Sequence, residues 1–174
     1  MAWVGTSGID IIVDVEVFEA LPYWQTMSSL GVPPHVSILY PGRRSPLSIL
    51  DMSDVENVID AVPVFPISFD ALARFENGTV YAQIGDSPAL SALMRTVWQA
   101  FPETPPYGGE FAAPAPHVTL AKPPIEHADA VMAELRVKFA ADLPLGFDVN
   151  RISILEQLAD DTWRTANEIE LRAG

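Results

Sequence analysis

The sequence of 174 residues contains no cysteine, no long apolar run and few basic residues. Without cysteine, the chain can form neither a disulfide bond nor a metal site with thiolate ligands. No apolar run approaches the roughly 20 residues that cross a bilayer as a helix, which predicts a protein without a membrane partner. The segment Met1 to Gly5 lacks a basic stretch followed by an apolar core. We therefore expect no signal peptide and a cytoplasmic location.

The charge balance limits the partners that the chain can bind. Lys and Arg together number 10 against 23 Asp and Glu, which gives a net charge of −13 at pH 7. Proteins bind long nucleic acids largely by neutralising phosphates with basic side chains, so the balance argues against a long duplex. A small phosphate ester, or a short RNA end held in a local pocket, is compatible with it. The acidity is otherwise explained by solubility.

Composition and apolar periodicity predict the fold class. The chain is 49% hydrophobic and 19% charged, as in globular proteins. Its length predicts a single domain of two lobes over residues 1–174. The predicted order is strand, helix, strand, helix, hairpin, helix, strand, helix, hairpin, which favours an α+β fold with largely antiparallel sheets. The predicted strands include Ile9 to Phe18, Phe147 to Leu155 and Trp163 to Leu171.

Two local signals mark the limits of elements. Ser87-Pro88 combines an N-cap with a proline at the first helical position, and apolar residues follow at helical spacing. Asn77-Gly78 separates two segments of alternating apolar residues, which is typical of a β-hairpin.

A short string that occurs twice is the main functional signal. Pro34-His35-Val36-Ser37-Ile38 and Pro116-His117-Val118-Thr119-Leu120 share the order proline, histidine, apolar, hydroxyl, apolar. Because side chains i and i+2 share one face of a strand, each copy presents an imidazole and a hydroxyl together. The third histidine, His127, has polar neighbours near the start of a predicted helix, and we interpret it as a surface residue.

The paired motifs suit acid–base chemistry on a phosphate. Two such pairs facing one cleft would supply a general base, a general acid and two hydroxyl donors for a phosphate oxygen. Histidine titrates nearest to neutral pH and can take either role, so the sequence leaves open whether His35 or His117 is the acid. A metal site is disfavoured because no acidic residue stands directly beside either motif.

With these motifs the chain resembles the 2H phosphoesterase superfamily, and within it the 2′-5′ RNA ligase-like branch. The resemblance rests on His35-Val36-Ser37 and His117-Val118-Thr119 with their flanking prolines, and on Pro105 to Phe111. It covers nearly the whole chain. It implies a two-lobed, pseudo-two-fold fold in which mostly antiparallel sheets form a central cleft.

The resemblance also implies an activity. Members hydrolyse cyclic phosphodiesters, split 2′-5′ linkages or join RNA ends through a 2′-5′ bond, without a metal or other cofactor. Carried over to this chain, His35 and His117 would be the catalytic acid and base. Ser37 and Thr119 would bind the non-bridging phosphate oxygens.

Four residues near the motifs are candidates for substrate binding. Arg43 and Lys122 carry charges suited to a phosphate. Tyr40 and Tyr107 carry rings on which a base can stack. Each also has a plainer interpretation, which is a solvated charge for the cations and core or rim packing for the tyrosines.

We therefore expect a metal-independent phosphoesterase that hydrolyses a small cyclic or 2′-5′-linked nucleotide. Two alternatives stay open. RNA 2′-5′ ligation or RNA-end processing would need a basic track beside the cleft. A non-catalytic nucleotide-binding module would show stabilisation by a ligand without turnover.

Overall fold

The computed structural model describes residues 9–40, 52–102, 104–111 and 114–174. These residues form eight β-strands and four α-helices. The strands are β1 (Ile9–Asp14), β2 (His35–Leu39), β3 (Phe65–Arg74), β4 (Val80–Ile84), β5 (His117–Ala121), β6 (Leu145–Val149), β7 (Arg151–Gln157) and β8 (Trp163–Glu170). The helices are α1 (Pro22–Ser29), α2 (Met52–Ile59), α3 (Pro88–Ala100) and α4 (Ala128–Phe139).

Both local signals in the sequence act as predicted. The Ser87 hydroxyl accepts a hydrogen bond of 3.2 Å from the backbone N–H of Leu90, and Pro88 begins α3. β3 and β4 pair as an antiparallel hairpin, and Gly78 takes a φ of 92° in its turn. The helix start and the hairpin are thus confirmed.

The described strands form two antiparallel sheets of four strands each. Their orders are β2-β1-β7-β8 and β5-β4-β3-β6, and all pairs of neighbouring strands are antiparallel. The predicted α+β class is confirmed. β2 and β5 carry the two histidine motifs, and each lies at an edge of its sheet. The two edges contact each other, so the fold brings the repeated motifs together.

The two halves exchange helices across this contact. α1 connects β1 to β2 but packs on β5, whereas α3 connects β4 to β5 but packs on β2. Trp24 Nε1 in α1 donates a hydrogen bond of 2.7 Å to the carbonyl of Thr119, and Trp98 Nε1 in α3 donates one of 2.8 Å to the carbonyl of Ile38. This exchange produces the predicted pseudo-two-fold relationship and ties each motif strand to the other half.

Two predicted strands have different limits in the structure. The segment from Ile9 to Phe18 is extended only to Asp14, and Glu16–Phe18 is a 3-10 helix. The apolar character continues because Phe18 is fully buried, with its ring centroid 5.2 Å from that of Phe69. The apolar pattern therefore continues past the end of the strand because the helical turn that follows is also buried.

The prediction of one strand from Phe147 to Leu155 is wrong. The segment forms β6 and β7, which are separated at Asn150 and belong to different sheets. β6 pairs with β3, and β7 pairs with β1. An apolar run predicts extended structure but not its partner, so this change of sheet leaves no mark in the periodicity.

Both sheets contribute to one continuous apolar core. Ile11 of β1, Phe69 of β3 and Leu120 of β5 are fully buried in the same cluster. The motif strands therefore rest on a shared apolar support. In the described ranges, none of the helices has the length and apolar character needed to cross a membrane.

Candidate active site

A cavity of about 350 Å³ lies where the two motif strands meet. β1, β2, β5, β7, β8 and α1 contribute side chains to its wall. All but one of the residues singled out from the sequence line it: His35, Ser37, Tyr40, Tyr107, His117, Thr119 and Lys122. The exception, Arg43, lies outside the described residues.

The backbone orients both imidazoles in the same way. His35 Nδ1 is 2.7 Å from the carbonyl oxygen of Pro33, and His117 Nδ1 is 2.9 Å from that of Ala115. A carbonyl oxygen only accepts, so Nδ1 carries the proton in both rings. Each neutral ring therefore has its lone pair on Nε2, the nitrogen available for proton transfer in the cavity.

Aromatic neighbours hold the two rings in place. The centroid of Trp24 is 5.4 Å from that of His35, with the rings edge to face. The centroids of Phe75 and Tyr81 are 5.0 Å and 5.3 Å from that of His117, again edge to face. Contacts of this kind restrict the rotation of the two imidazole rings.

An acidic residue that the sequence analysis did not single out lies beside the first motif. Asp10 of β1 lines the cavity and is only 5% exposed. Its Oδ2 is 3.4 Å from His35 Nε2 and accepts a hydrogen bond of 3.1 Å from Ser37 Oγ. Its Oδ1 is buried and has no hydrogen-bond partner within the described chain. The sequence did contain a signal for Asp10, which is the acidic residue inside the apolar string Ile9-Asp10-Ile11-Ile12-Val13. A carboxylate in a buried strand requires a partner, so its position indicates a polar site.

The two histidines consequently differ in their electrostatics. Burial lowers the pKa of His35, but the hydrogen bond and negative charge of Asp10, helped by the Pro33 carbonyl and by Asp14, outweigh it and the pKa is raised. Burial also lowers the pKa of His117. The positive charges of His35 and Lys122 add to that effect, and the Ala115 carbonyl opposes it only in part, so the net shift is downward.

The two hydroxyl residues of the motifs share the face of their histidines. Ser37 and Thr119 both line the cavity, as the i, i+2 spacing predicts. The Ser37 hydroxyl donates to Asp10, which fixes its orientation and leaves its oxygen lone pairs toward other donors. Thr119 is held through its carbonyl, which accepts from Trp24.

Aromatic side chains form the wall beside Asp10. The Tyr40 ring centroid lies 6.3 Å from that of Tyr107 and 6.4 Å from that of Trp163. Tyr107 has a φ of 51°, and its N–H donates a hydrogen bond of 2.6 Å to the Tyr40 carbonyl. Burial, with the charge of Asp10, raises the pKa of Tyr107 to about 12, so its hydroxyl is a donor at neutral pH. Trp163 was missed in the sequence because it reads as an ordinary strand aromatic.

Lys122 is the one Lys or Arg among the described residues that line the cavity. Its Nζ lies 5.7 Å from the centroid of the Tyr23 ring. A cation over an aromatic face is held without being neutralised, so its charge stays available to an anion. In the described ranges, no three His, Cys, Asp or Glu side chains are grouped as metal ligands. The expectation that the site needs no metal stays a prediction.

Solved structures with the same fold are numerous but distant in sequence. A crystal structure described as a phosphoesterase superposes with a TM-score of 0.63 at 13% identity, covering 95% of this chain and 99% of that chain. LigT of E. coli complexed with 3′-AMP gives a TM-score of 0.61 at 14% identity, with coverage of 96% and 99%. TT0787 of Thermus thermophilus gives 0.61 at 15% identity, with coverage of 95% and 98%. At these identities the likeness shows the fold, which is that of the 2H phosphoesterases.

No curated protein matches the sequence. A family model does: the model described as the 2′-5′ RNA ligase superfamily matches residues 15–161. The match includes both histidine motifs and most of the cavity wall, although Asp10 lies before its first residue. The chain therefore belongs to the 2′-5′ RNA ligase superfamily, the 2H phosphoesterases.

Proposed function

We propose that the protein is a metal-independent phosphoesterase of the cyclic phosphodiesterase type, acting on a small cyclic or 2′-5′-linked nucleotide in the cytoplasm. The arrangement of the two histidines carries the proposal. Both line one cavity, and in both the Nδ1 proton is held by the carbonyl two residues earlier. This leaves two reactive Nε2 atoms for the two proton transfers that phosphodiester cleavage requires.

The reaction then proceeds by in-line attack. One histidine takes a proton from water at Nε2 as the water oxygen bonds to phosphorus. The phosphorus–oxygen bond to the ribose oxygen breaks, and the second histidine gives its Nε2 proton to that oxygen. The Thr119 hydroxyl and Lys122 stabilise the charge on the non-bridging oxygens, and the Ser37 hydroxyl does so once it turns from Asp10 to the phosphate. Proton exchange with solvent restores both rings.

The cavity suits a mononucleotide-sized ligand. Its volume of about 350 Å³ lies at the low end of the range of roughly 300–1,000 Å³ for small-molecule sites. Tyr40, Tyr107 and Trp163 offer faces on which a base can stack. LigT of E. coli, which has the same fold, has been crystallised with ATP, with 3′-AMP and with NADP+, which supports a nucleotide as the ligand class here.

Hydrolysis is better supported than ligation. Ligation requires two polynucleotide ends to be held together, and phosphates are held by basic side chains. Lys122 is the one Lys or Arg in the described cavity wall, and the whole chain has a net charge of −13. Arg43 could add one more charge but would not complete a basic track.

The first experiment is a hydrolysis assay in excess EDTA. The substrates are 2′,3′-cyclic mononucleotides, a cyclic ADP-ribose phosphate and a 2′-5′ dinucleotide. We expect turnover that the His35→Ala/His117→Ala double variant loses and that His127→Ala keeps, since His127 is exposed and outside the cavity wall. Loss of wild-type turnover on adding EDTA would contradict the metal-independent mechanism. Thermal stabilisation by a nucleotide without turnover on any substrate would favour the binding module instead.

A further inference from the structure

The two carboxylates that β1 presents near the first motif have different partners. Asp14 Oδ2 lies 3.2 Å from Arg151 Nε and also accepts from Ser153 Oγ. Asp10 has neither a lysine nor an arginine within ion-pair distance in the described chain. Among the described residues, the cationic partner of its carboxylate is His35, and the Ser37 hydroxyl donates a hydrogen bond to it. Burial raises the pKa of Asp10, and the charge and hydrogen bond of His35, with the hydrogen bond from Ser37, oppose that shift. An ionised Asp10 and a positive His35 therefore favour each other at this site.

The hydrogen bonds of His35 define where that charge resides. Nδ1 already donates to the Pro33 carbonyl, so Nε2 is the nitrogen that faces Asp10. An ionised carboxylate only accepts, and it attracts Nε2 only when that nitrogen also carries a proton. The separation of 3.4 Å is long for a hydrogen bond. The negative charge of Asp10 therefore favours a proton on His35 Nε2 without a short hydrogen bond between them. That proton can still move to a ligand in the cavity.

His117 has the opposite surroundings. Among the described residues it forms no ion pair with a carboxylate, and its ring neighbours are Phe75 and Tyr81. The charges that act on it are those of Lys122 and His35, both of which oppose a further positive charge. A neutral ring with its lone pair on Nε2 is the form that these surroundings favour.

We propose that Asp10 is a positioning residue that makes His35 the general acid and leaves His117 as the general base. The inference rests on the proposed function and deepens it, because it assigns the two roles that the symmetric motifs leave open. In the reaction, His117 Nε2 takes the proton of the attacking water, and His35 Nε2 protonates the leaving ribose oxygen. Asp10 then favours the return of a proton from solvent to His35.

The other titratable groups around the pair do not alter this assignment. Asp14 on the same strand acts in the same direction on His35 but is paired with Arg151. Tyr40 and Tyr107 both have raised pKa values, chiefly through burial and then through the charge of Asp10, so they stay neutral. His117 on β5 and Lys122 just after β5 line the same cavity as Asp10 and His35. Glu156 on β7 forms an ion pair with Arg164.

The direct test is a titration of the histidines by NMR, without substrate. Proton–carbon correlations of the Cε1–H groups give one signal for each of the three histidines, assigned with His→Gln variants. We expect the midpoint of His35 above the ordinary value of 6.5 and that of His117 below it. In Asp10→Asn, the His35 midpoint should fall.

Two outcomes would overturn the inference. A wild-type His35 midpoint below that of His117 would do so without any variant, which covers the case in which Asp10→Asn fails to fold. An unchanged His35 midpoint in Asp10→Asn would do so as well. Asp14→Asn is the matched control on the same strand. It should lower the His35 midpoint less than Asp10→Asn does, because Asp14 already has Arg151 as its partner.

A leaving-group comparison tests the assigned roles in catalysis. A nitrophenolate leaves without protonation, whereas a ribose oxygen needs an acid. On a cyclic nucleotide, His35→Ala should lower turnover about a hundredfold or more, the scale of lost general acid catalysis. On a nucleoside nitrophenyl phosphate the loss should shrink to less than about tenfold. His117→Ala should lose about the same factor on both substrates, and the reverse pattern would overturn the assignment.

The failure of this inference differs from the failure of the proposed function. If no phosphodiester is hydrolysed but the midpoint of His35 falls in Asp10→Asn, the electrostatic role of Asp10 stands and the function fails. If hydrolysis occurs but Asp10→Asn leaves His35 unmoved, the function stands and the inference fails. In the active enzyme, Asp10→Asn should also shift the alkaline limb of the pH profile to lower pH. That limb follows deprotonation of the acid, and a merely structural role would not move it.

Discussion

At the scale of single residues, the two motif histidines share a backbone anchor but differ in the charges beside them. Both imidazoles have the same backbone anchor and the same neighbouring hydroxyl position. Asp10 adds a negative charge to one of them, while Lys122 adds a positive charge near the other. The proposed acid–base catalysis needs one protonated and one neutral group at neutral pH, and these unequal surroundings favour one of each.

Removing either motif histidine should abolish most of the activity. We expect His35→Ala and His117→Ala each to lower kcat/KM for a 2′,3′-cyclic nucleotide at least about a hundredfold, because each loses one proton transfer. Steady-state kinetics measures this, with circular dichroism to verify the fold. His127→Ala is the matched control and should keep wild-type rates. Near-wild-type rates in either motif variant would refute the paired mechanism.

The ion pair of Asp10 and His35 should also make stability depend on pH. The folded pKa of His35 is raised, so its contribution to stability is complete below the unfolded value of about 6.5 and is lost as pH rises through the folded value. The pKa of Asp10 is also raised, chiefly by burial, and its contribution is lost as pH rises from the unfolded value of about 3.8 through the folded value. We therefore expect Tm to decrease between about pH 6 and about pH 9 in the wild type. The decrease should be larger by a few degrees in the wild type than in Asp10→Asn.

Calorimetry of both proteins across this range measures the difference. The pKa of His117 is lowered chiefly by burial, which is the same in both proteins, so most of its contribution to stability cancels in the comparison. Equal changes of Tm in the two proteins would mean that Asp10 and His35 are not coupled.

At the scale of elements, the end of α1 positions one wall of the cavity. Gly31 follows the helix with a φ of 87°, and a Cβ there would lie 2.0 Å from the carbonyl oxygen of Trp163. The N–H of Trp163 donates a hydrogen bond of 2.7 Å to the Leu30 carbonyl. The start of β8, and with it the Trp163 ring, is thus seated directly on the helix terminus.

Gly31→Ala should consequently destabilise the protein more than backbone strain alone explains. A non-glycine residue at positive φ costs about 1–3 kcal/mol, and the collision with the Trp163 backbone adds to that. Gly108→Ala is the matched control, because Gly108 has a φ of 66° but open space around its Cβ position. Urea unfolding should show a lower free energy of unfolding for Gly31→Ala than for Gly108→Ala. Equal values would show that β8 moves away without cost.

The elements also show what the sequence could predict and what it could not. The duplicated motif predicted that His35, Ser37, His117 and Thr119 would face one cleft, because strand periodicity fixes the face of each side chain. Asp10 was missed because its role depends on the register in which β1 lies beside β2, a long-range pairing. The separation of β6 from β7 was missed for the same reason, since apolar periodicity does not specify a partner strand.

At the scale of the whole molecule, shape and charge favour a small ligand. The exchange of α1 and α3 between the halves holds the two motif strands together, and both motifs line one cavity. The net charge of −13 surrounds that cavity with a field that repels polyanions. The local charge of Lys122 and the positive form of His35 act only over a short range in physiological salt, where screening extends about 8 Å.

Extending a nucleic-acid substrate should therefore add no affinity. We expect kcat/KM for 2′-5′-linked oligonucleotides to stay within about threefold from the dinucleotide to much longer chains, since Lys122 is the one Lys or Arg that the described residues place in the cavity wall. The measurement is a length series at low and at physiological salt. A true RNA-end enzyme would instead gain with length, and the gain would shrink as salt rises, because each neutralised phosphate releases counterions. That result would replace the small-nucleotide substrate with an RNA end and would imply basic contacts from the residues around Arg43.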